Sequence, residues 1–228
     1  MCSNYRAASM AGIEALVDDG MQGDLIAGRD VWPNHEAPVL VRDKDTGRMR
    51  VETGIFGLVP HWARDRKITR STYNARSETV AEKPSFRTAW AHANFCLIPV
   101  SWYYEPRYDA DGKHPVRWAI RRKDTDTFCV AGLYWRPKGE GVTAGMVSFT
   151  MLTVNADEHP VLRAFHDPAD EKRSIVHVEP AEYEAWLTAS TELARVLLAT
   201  PPAHVLECAP APLPKRPSKS IPNAVAQG

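Results

Sequence analysis

The chain has 228 residues, with 28 Lys and Arg against 28 Asp and Glu, and so carries no formal net charge at pH 7. That length suits one domain or a tight pair with a real core, and 44% hydrophobic with 25% charged residues is the composition of an ordinary globular chain rather than a disordered one. Bulk charge gives a basic nucleic-acid binder no support without excluding it, and no apolar run approaches the ~20 residues of a membrane span.

The N-terminal MCSNYRAASM has neither the basic nor the apolar region of a signal peptide. Residues 10 to 36 are acidic, and AGIEALVDDG within them reads as a short helix closed by Gly20. APVLVR and MRVETGIFGLV, joined by the turn DKDTG, read as strands. SFRTAWAHAN, with Pro84 just before it, predicts a helix, and FCLIPVSWYYEP a buried strand running into aromatic residues. PVRWAIRR, FCVAGLYW and MVSFTMLTVN alternate as neighbouring strands, and SIVHVEP reads as another. PAEYEAWL, opened by Pro180, and TELARVLLAT close the series as helices.

Strands outnumber helices, which predicts an α+β fold built on a curved, barrel-like, mainly antiparallel sheet flanked by short helices. The domain is expected to end at residue 207. The segment 208–228 is expected to be a flexible, proline-rich basic tail. Cys2, Cys96, Cys129 and Cys208 are scattered, with no CxxC pair, so neither a disulfide framework nor a zinc site is expected, and no cofactor is called for. A monomer in the cytoplasm is expected, with no membrane association.

Residues 60 to 90 hold seven cations (Arg64, Arg66, Lys67, Arg70, Arg76, Lys83, Arg87) against Asp65, Glu78 and Glu82, with Trp62, Tyr73, Phe86 and Trp90 among them. Cations meet phosphates and rings stack on bases, so this interleaving suits single-stranded nucleic acid. It also suits a solvated, salt-bridged face whose aromatics turn into the core.

Cys2 follows the initiator methionine directly. Removal of Met1 is expected and would leave a free α-amine beside a thiol. An α-amine titrates near 7.7–8.0, far below a lysine, so its neutral nucleophilic fraction at pH 7 is several hundredfold larger. Such an amine attacks aldehydes to form a Schiff base, which the thiol can close to a five-membered thiazolidine. A cysteine without a role at a frayed terminus is the alternative.

The chain resembles the SRAP (SOS response-associated peptidase) family. The resemblance rests on MCSNY, on GLVPHWARD at Gly57 to Asp65, and on YNARSETVAEKPSFRTAW at Tyr73 to Trp90. It continues through CLIPVSWYYEP at Cys96 to Pro106, VAGLYW at Val130 to Trp135, and TVNADEHPVLRAFHDP at Thr153 to Pro168. It implies a protein of the DNA damage response that crosslinks covalently to abasic sites in single-stranded DNA, with Cys2 as nucleophile. Asn74 then holds the terminal amine and the sugar, since an amide both donates and accepts. Glu105 shuttles protons, and a carboxyl following aromatic residues suits that work. His166 assists opening of the sugar ring; it is preferred to His159 because it sits between Phe165 and Asp167. His61, His92 and His177 read as structural.

Arg76 is the expected phosphate clamp, Trp62 stacks on a base or packs in the core, and Arg87 and Arg6 complete the DNA-binding set. The chain departs from the family where Ser3 and Asn4 replace the common Gly-Arg, where Phe56 replaces a tryptophan, and where PADEKRSIV replaces Arg-Met-Pro after the histidine. Two other readings stay open: an N-terminal-nucleophile peptidase acting mainly on its own leader, and a non-covalent single-strand binding module. Lyase-like chemistry and association with the nucleoid when bound to DNA complete the expectation.

Overall fold

The computed structural model describes residues 2–17, 26–109, 111–137 and 145–213. In chain order the elements are β1 (Tyr5–Ala7), α1 (Met10–Glu14), β2 (Asp30–Val31), β3 (Glu36–Arg42), β4 (Met49–Phe56), β5 (Asn74–Arg76), α2 (Arg87–Ala91) and β6 (Phe95–Tyr108). There follow β7 (Pro115–Arg122), β8 (Phe128–Trp135), β9 (Val147–Asn155), β10 (Arg173–Ile175), β11 (His177–Val178), α3 (Tyr183–Leu187), α4 (Thr191–Leu197) and β12 (Leu206–Pro210).

Five of these strands close on themselves. β3 pairs with β4 and β6, β6 also pairs with β8, β8 with β9, and β9 returns in parallel to β4. The ring β3-β4-β9-β8-β6 is the expected barrel-like sheet, mainly antiparallel, with the short strands hung on its rims. Because side chains alternate along a strand, the ring makes two cores. Val39, Val41, Phe56, Cys96, Ile98, Val130, Phe149 and Met151 face inward as one buried cluster. Leu40, Leu97, Ala131, Leu133 and Leu152 face outward, where α2, α3 and α4 cover them with Trp90, Trp186 and Ala194. Trp186 is fully buried and donates from Nε1 to the Cys96 carbonyl at 2.9 Å, so its one polar atom is satisfied.

The expected elements recur with shorter bounds. SIVHVEP splits into β10 and β11, which pair with different strands, β9 and β8. The predicted N-terminal helix ends at Glu14, and Gly20 lies outside the described residues. The sheet also runs past residue 207, because β12 pairs through Cys208, Ala209 and Pro210 with Ile120, Ala119 and Trp118 of β7. The rest of the predicted tail, 214–228, lies outside the described residues.

One irregularity positions the site. Along β6, Cys96, Ile98 and Val100 face inward, and strict alternation would send Trp102 and Tyr104 after them. Between Arg6 and Ala7, however, the register of β1 on β6 jumps from Trp102 to Val100. Ser101 is thus an extra residue, a β-bulge that reverses the faces of everything beyond it. Tyr103 and Glu105 are therefore buried, while Trp102 and Tyr104 lie half-exposed on the other side.

Candidate active site at the barrel mouth

Glu105 reaches the interior by that bulge, opposite Trp118 of β7. Trp118 packs edge-on against buried Phe165, with centroids 6.2 Å apart. Phe165 anchors the loop on which His166 follows. The His166 backbone is left-handed (φ 68°), a conformation that costs a non-glycine residue energy and persists only where its surroundings hold it. Here its N–H donates to the Pro106 carbonyl at 2.7 Å, tying the loop to the residue after Glu105. The imidazole Nε2 then stands 3.0 Å from Glu105 Oε2, with side chains 7% and 4% exposed. The contact becomes an ion pair when the imidazole is protonated.

Cys2 is fully buried among the inward-facing residues. Burial pushes its thiol far above the ordinary range, and the nearby Glu105 carboxylate adds to the effect. Asn74 enters from β5, whose Ala75 is buried in the outer cluster, so Asn74 and Arg76 turn to the opposite side. Asn74 Nδ2 donates to the Cys2 carbonyl at 2.7 Å, while its buried Oδ1 has no hydrogen-bond partner among the described residues. Cys2, Asn74 and the Glu105–His166 pair, from four distant segments, thus gather at one mouth of the barrel.

Three tyrosines, none of them a site candidate from the sequence, line the same region. Tyr73 and Tyr103 are raised above the usual phenol range by burial first, and then by the charges of both Cys2 and Glu105. Tyr5 is raised by burial and by Cys2. The buried hydroxyls of Tyr5 and Tyr103 have no hydrogen-bond partner among the described residues. Only their burial beside the site marks them, and a lone tyrosine in a strand looks like any core aromatic.

His159 is committed elsewhere. Its Nδ1 accepts from the N–H groups of Val161 and Leu162 at 3.1 and 2.9 Å, so Nε2 carries the proton and donates to the Pro201 carbonyl at 2.8 Å. His61 and His92 flank Trp135 on the wall of a 620 Å³ cavity that includes none of the four site residues.

The expected DNA-contacting residues divide. Trp62 is 48% exposed, held by one hydrogen bond from Nε1 to the Pro84 carbonyl at 3.3 Å, and borders a shallow hollow with Arg64 and Ile68. It is not a core residue. Arg87 is exposed at the start of α2. Arg76 is half-exposed and paired with Glu171 at 2.7 Å. Arg6 lies on the outer side of β1, between the core residues Tyr5 and Ala7, where it pairs with Asp30 at 3.6 Å and stacks over Trp102. Asn4 turns to that outer side too, donating to the Val31 carbonyl and accepting from Arg117.

Among the described residues no helix is long and apolar enough to cross a membrane, and no three His, Cys, Asp or Glu side chains form a group able to hold a metal ion.

A family model described as SOS response associated peptidase (SRAP) matches residues 1–212. The abasic site processing protein YoqW of Bacillus subtilis is 33% identical over 150 residues, which cover 64% of this chain and 62% of that protein. The abasic site processing protein HMCES of Gallus gallus is 25% identical over 153 residues, covering 55% of this chain and 45% of that one. The chain thus spans less than two thirds of the length of these curated relatives. A crystal structure of a Bordetella bronchiseptica protein superposes with a TM-score of 0.80 at 31% identity, covering 93% of this chain and 100% of that one. A Bacteroides thetaiotaomicron protein, 23% identical with a TM-score of 0.74, covers 91% of this chain and 90% of its own, and shares the fold.

Proposed function

The chain belongs to the SRAP family, and from that premise we propose that it captures the aldehyde of abasic sites in single-stranded DNA through Cys2, first as a Schiff base and then as a thiazolidine. The observation that carries the reading is the convergence on buried Cys2 of an amide and a buried carboxylate–imidazole pair. Its relatives' names, abasic site processing proteins, point to the same lesion.

The chemistry follows from the groups present. Loss of Met1 frees the Cys2 amine, and Asn74 Oδ1 is the acceptor that orients it while Nδ2 keeps the Cys2 carbonyl in place. His166 takes the proton of the sugar's anomeric hydroxyl and returns one to the ring oxygen, so the ring opens to the aldehyde. The amine nitrogen attacks the aldehyde carbon. Glu105, as the acid, protonates the departing hydroxyl, and water leaves as the C=N bond forms. The amine reacts first, because the C=N bond to which the sulfur adds exists only once the amine has condensed. The S–H then adds across C=N, forming the C–S bond and leaving its proton on nitrogen. In reverse, the C–S bond breaks as the N–H proton returns to sulfur and C=N re-forms; water, giving a proton to Glu105, then adds to C=N, and the carbon–nitrogen bond breaks to return the free amine and the DNA aldehyde. Arg76, Arg87 and Trp62 hold the strand by phosphate contact and stacking, and Arg6 contributes from the outer side of the sheet.

The test is protein whose loss of Met1 is verified by intact mass, incubated with a single-stranded oligonucleotide carrying one abasic site. Wild type gives a slow-migrating adduct on a denaturing gel, and Cys2→Ala gives none. Cys2→Ser forms only an adduct that needs borohydride trapping, since an alcohol adds poorly to the imine. An undiminished adduct with Cys2→Ala overturns the proposal. Turnover of an unrelated peptide, lost in Cys2→Ala, would point to a peptidase instead.

A further inference from the structure

Glu171 is placed as an anion held by three converging donors. Its carboxylate accepts from Arg76 Nη1 at 2.7 Å, from Arg173 Nη1 at 2.7 Å and from Asn155 Nδ2 at 3.0 Å. Two of these donors belong to a rigid frame. Arg173, nearly fully buried on β10, holds both oxygens of Glu78 at 2.9 Å and the Thr153 carbonyl at 2.7 Å. Asn155, at the end of β9, is tied in turn to Asp157. The third donor differs: Arg76 is half-exposed, and Glu171 is its one ionic partner among the described residues. It projects from β5 on the same side as Asn74, two residues and roughly 7 Å further along the strand.

We propose that Glu171 is a built-in competitor for the backbone phosphate of single-stranded DNA at Arg76, setting how tightly the strand is held beside the site. The inference rests on the reading of the protein as a single-strand DNA binder. A carboxylate and a phosphate oxygen make the same charge-assisted contact with a guanidinium, so the two anions exclude each other there. The exchange is accessible because a solvent-exposed Arg–carboxylate pair is weak: water screens the attraction and ordering two long side chains opposes it. Glu171 also keeps Arg173 and Asn155 when Arg76 swings to the strand, so no buried charge is left without a partner. In this way Glu171 keeps Arg76 closed to weak, non-specific contacts.

The test is fluorescence anisotropy with a labelled single-stranded oligonucleotide lacking an abasic site, so that crosslinking does not contribute, over a salt series. Glu171→Gln is expected to bind about two- to fivefold more tightly at low salt, the equivalent of one exposed ion pair. Its log K against log [salt] is expected to steepen by up to about 0.7, one more phosphate neutralised. Glu171→Asp, which keeps the charge, controls for loosened packing around Arg173 and should show no gain, with thermal melting confirming that both fold. In an Arg76→Gln background the gain from Glu171→Gln should vanish. A gain that survives Arg76→Gln, or no gain at all, overturns the inference. If wild type retains the oligonucleotide and crosslinks its abasic form while Glu171→Gln gains nothing, this inference alone falls. If wild type neither retains nor crosslinks DNA, the functional reading falls and takes this one with it.

Discussion

His177 makes acid stability a quantitative test of the fold. It is buried on β11, its ring 4.5 Å from that of Phe128 and 5.6 Å from that of Tyr103, with no hydrogen-bond partner for either nitrogen among the described residues. Burial, reinforced by the Arg122 guanidinium and His159 and only partly offset by Asp124, lowers its pKa from 6.5 to about 3. In the unfolded chain the imidazole takes up a proton below pH 6.5, while in the fold it stays neutral down to about pH 3. The unfolded state therefore binds more protons throughout that window, and stability falls as pH falls through it. From pH 7.5 to pH 5 the loss from this residue is ~2 kcal/mol, since the unfolded imidazole is then about 1.5 pH units below its midpoint. Urea unfolding of wild type and His177→Phe at both pH values isolates the term. The baseline stabilities will differ, but the loss between pH 7.5 and 5 should be smaller in the variant by about that amount. Equal losses in the two proteins would refute the buried, neutral imidazole.

Three further outcomes follow from the geometry. Glu105→Gln keeps the shape of the side chain but removes the acid that expels water, so adduct formation at pH 7 should slow by about 10²-fold or more in a timed gel assay. Trp62→Ala should leave the melting temperature nearly unchanged, since the ring is half-exposed with one hydrogen bond. The same change should weaken single-strand affinity by about fivefold or more if a base stacks there. Gly57 sits at φ 111° with the position of a Cβ only 2.4 Å from the Thr69 side chain, so Gly57→Ala forces both strain and a clash. A loss of ~1–3 kcal/mol is expected, read by calorimetry as a melting point lower by about 3–10 °C.

Much of this was legible in the chain. Long strands such as FCVAGLYW and MVSFTMLTVN carry enough alternation or apolar character to be read directly, and they became β8 and β9. Strands of two or three residues, β1, β2 and β5, leave no period to read, yet β5 carries Asn74 and Arg76. Cys208 to Pro210 read as the start of a proline-rich tail because nothing local shows that β7 offers them a sheet edge.

The sequence by itself determined which groups the protein owns: a cysteine beside the first residue, a carboxyl after three aromatics, a histidine after an apolar run, and cations crowded into one segment of a neutral chain. Only the tertiary structure decided which way those groups point and which partners they meet. Alternation alone would have sent Glu105 outward, and one extra residue at Ser101, fixed by pairing with a strand nearly a hundred residues away, turns it in. His166 meets Glu105 because its left-handed backbone is bonded to Pro106, and Arg76 meets Glu171 across 95 residues of chain. Side-chain chemistry is local, whereas facing, burial and charge pairing are set by long-range contacts that no single segment encodes.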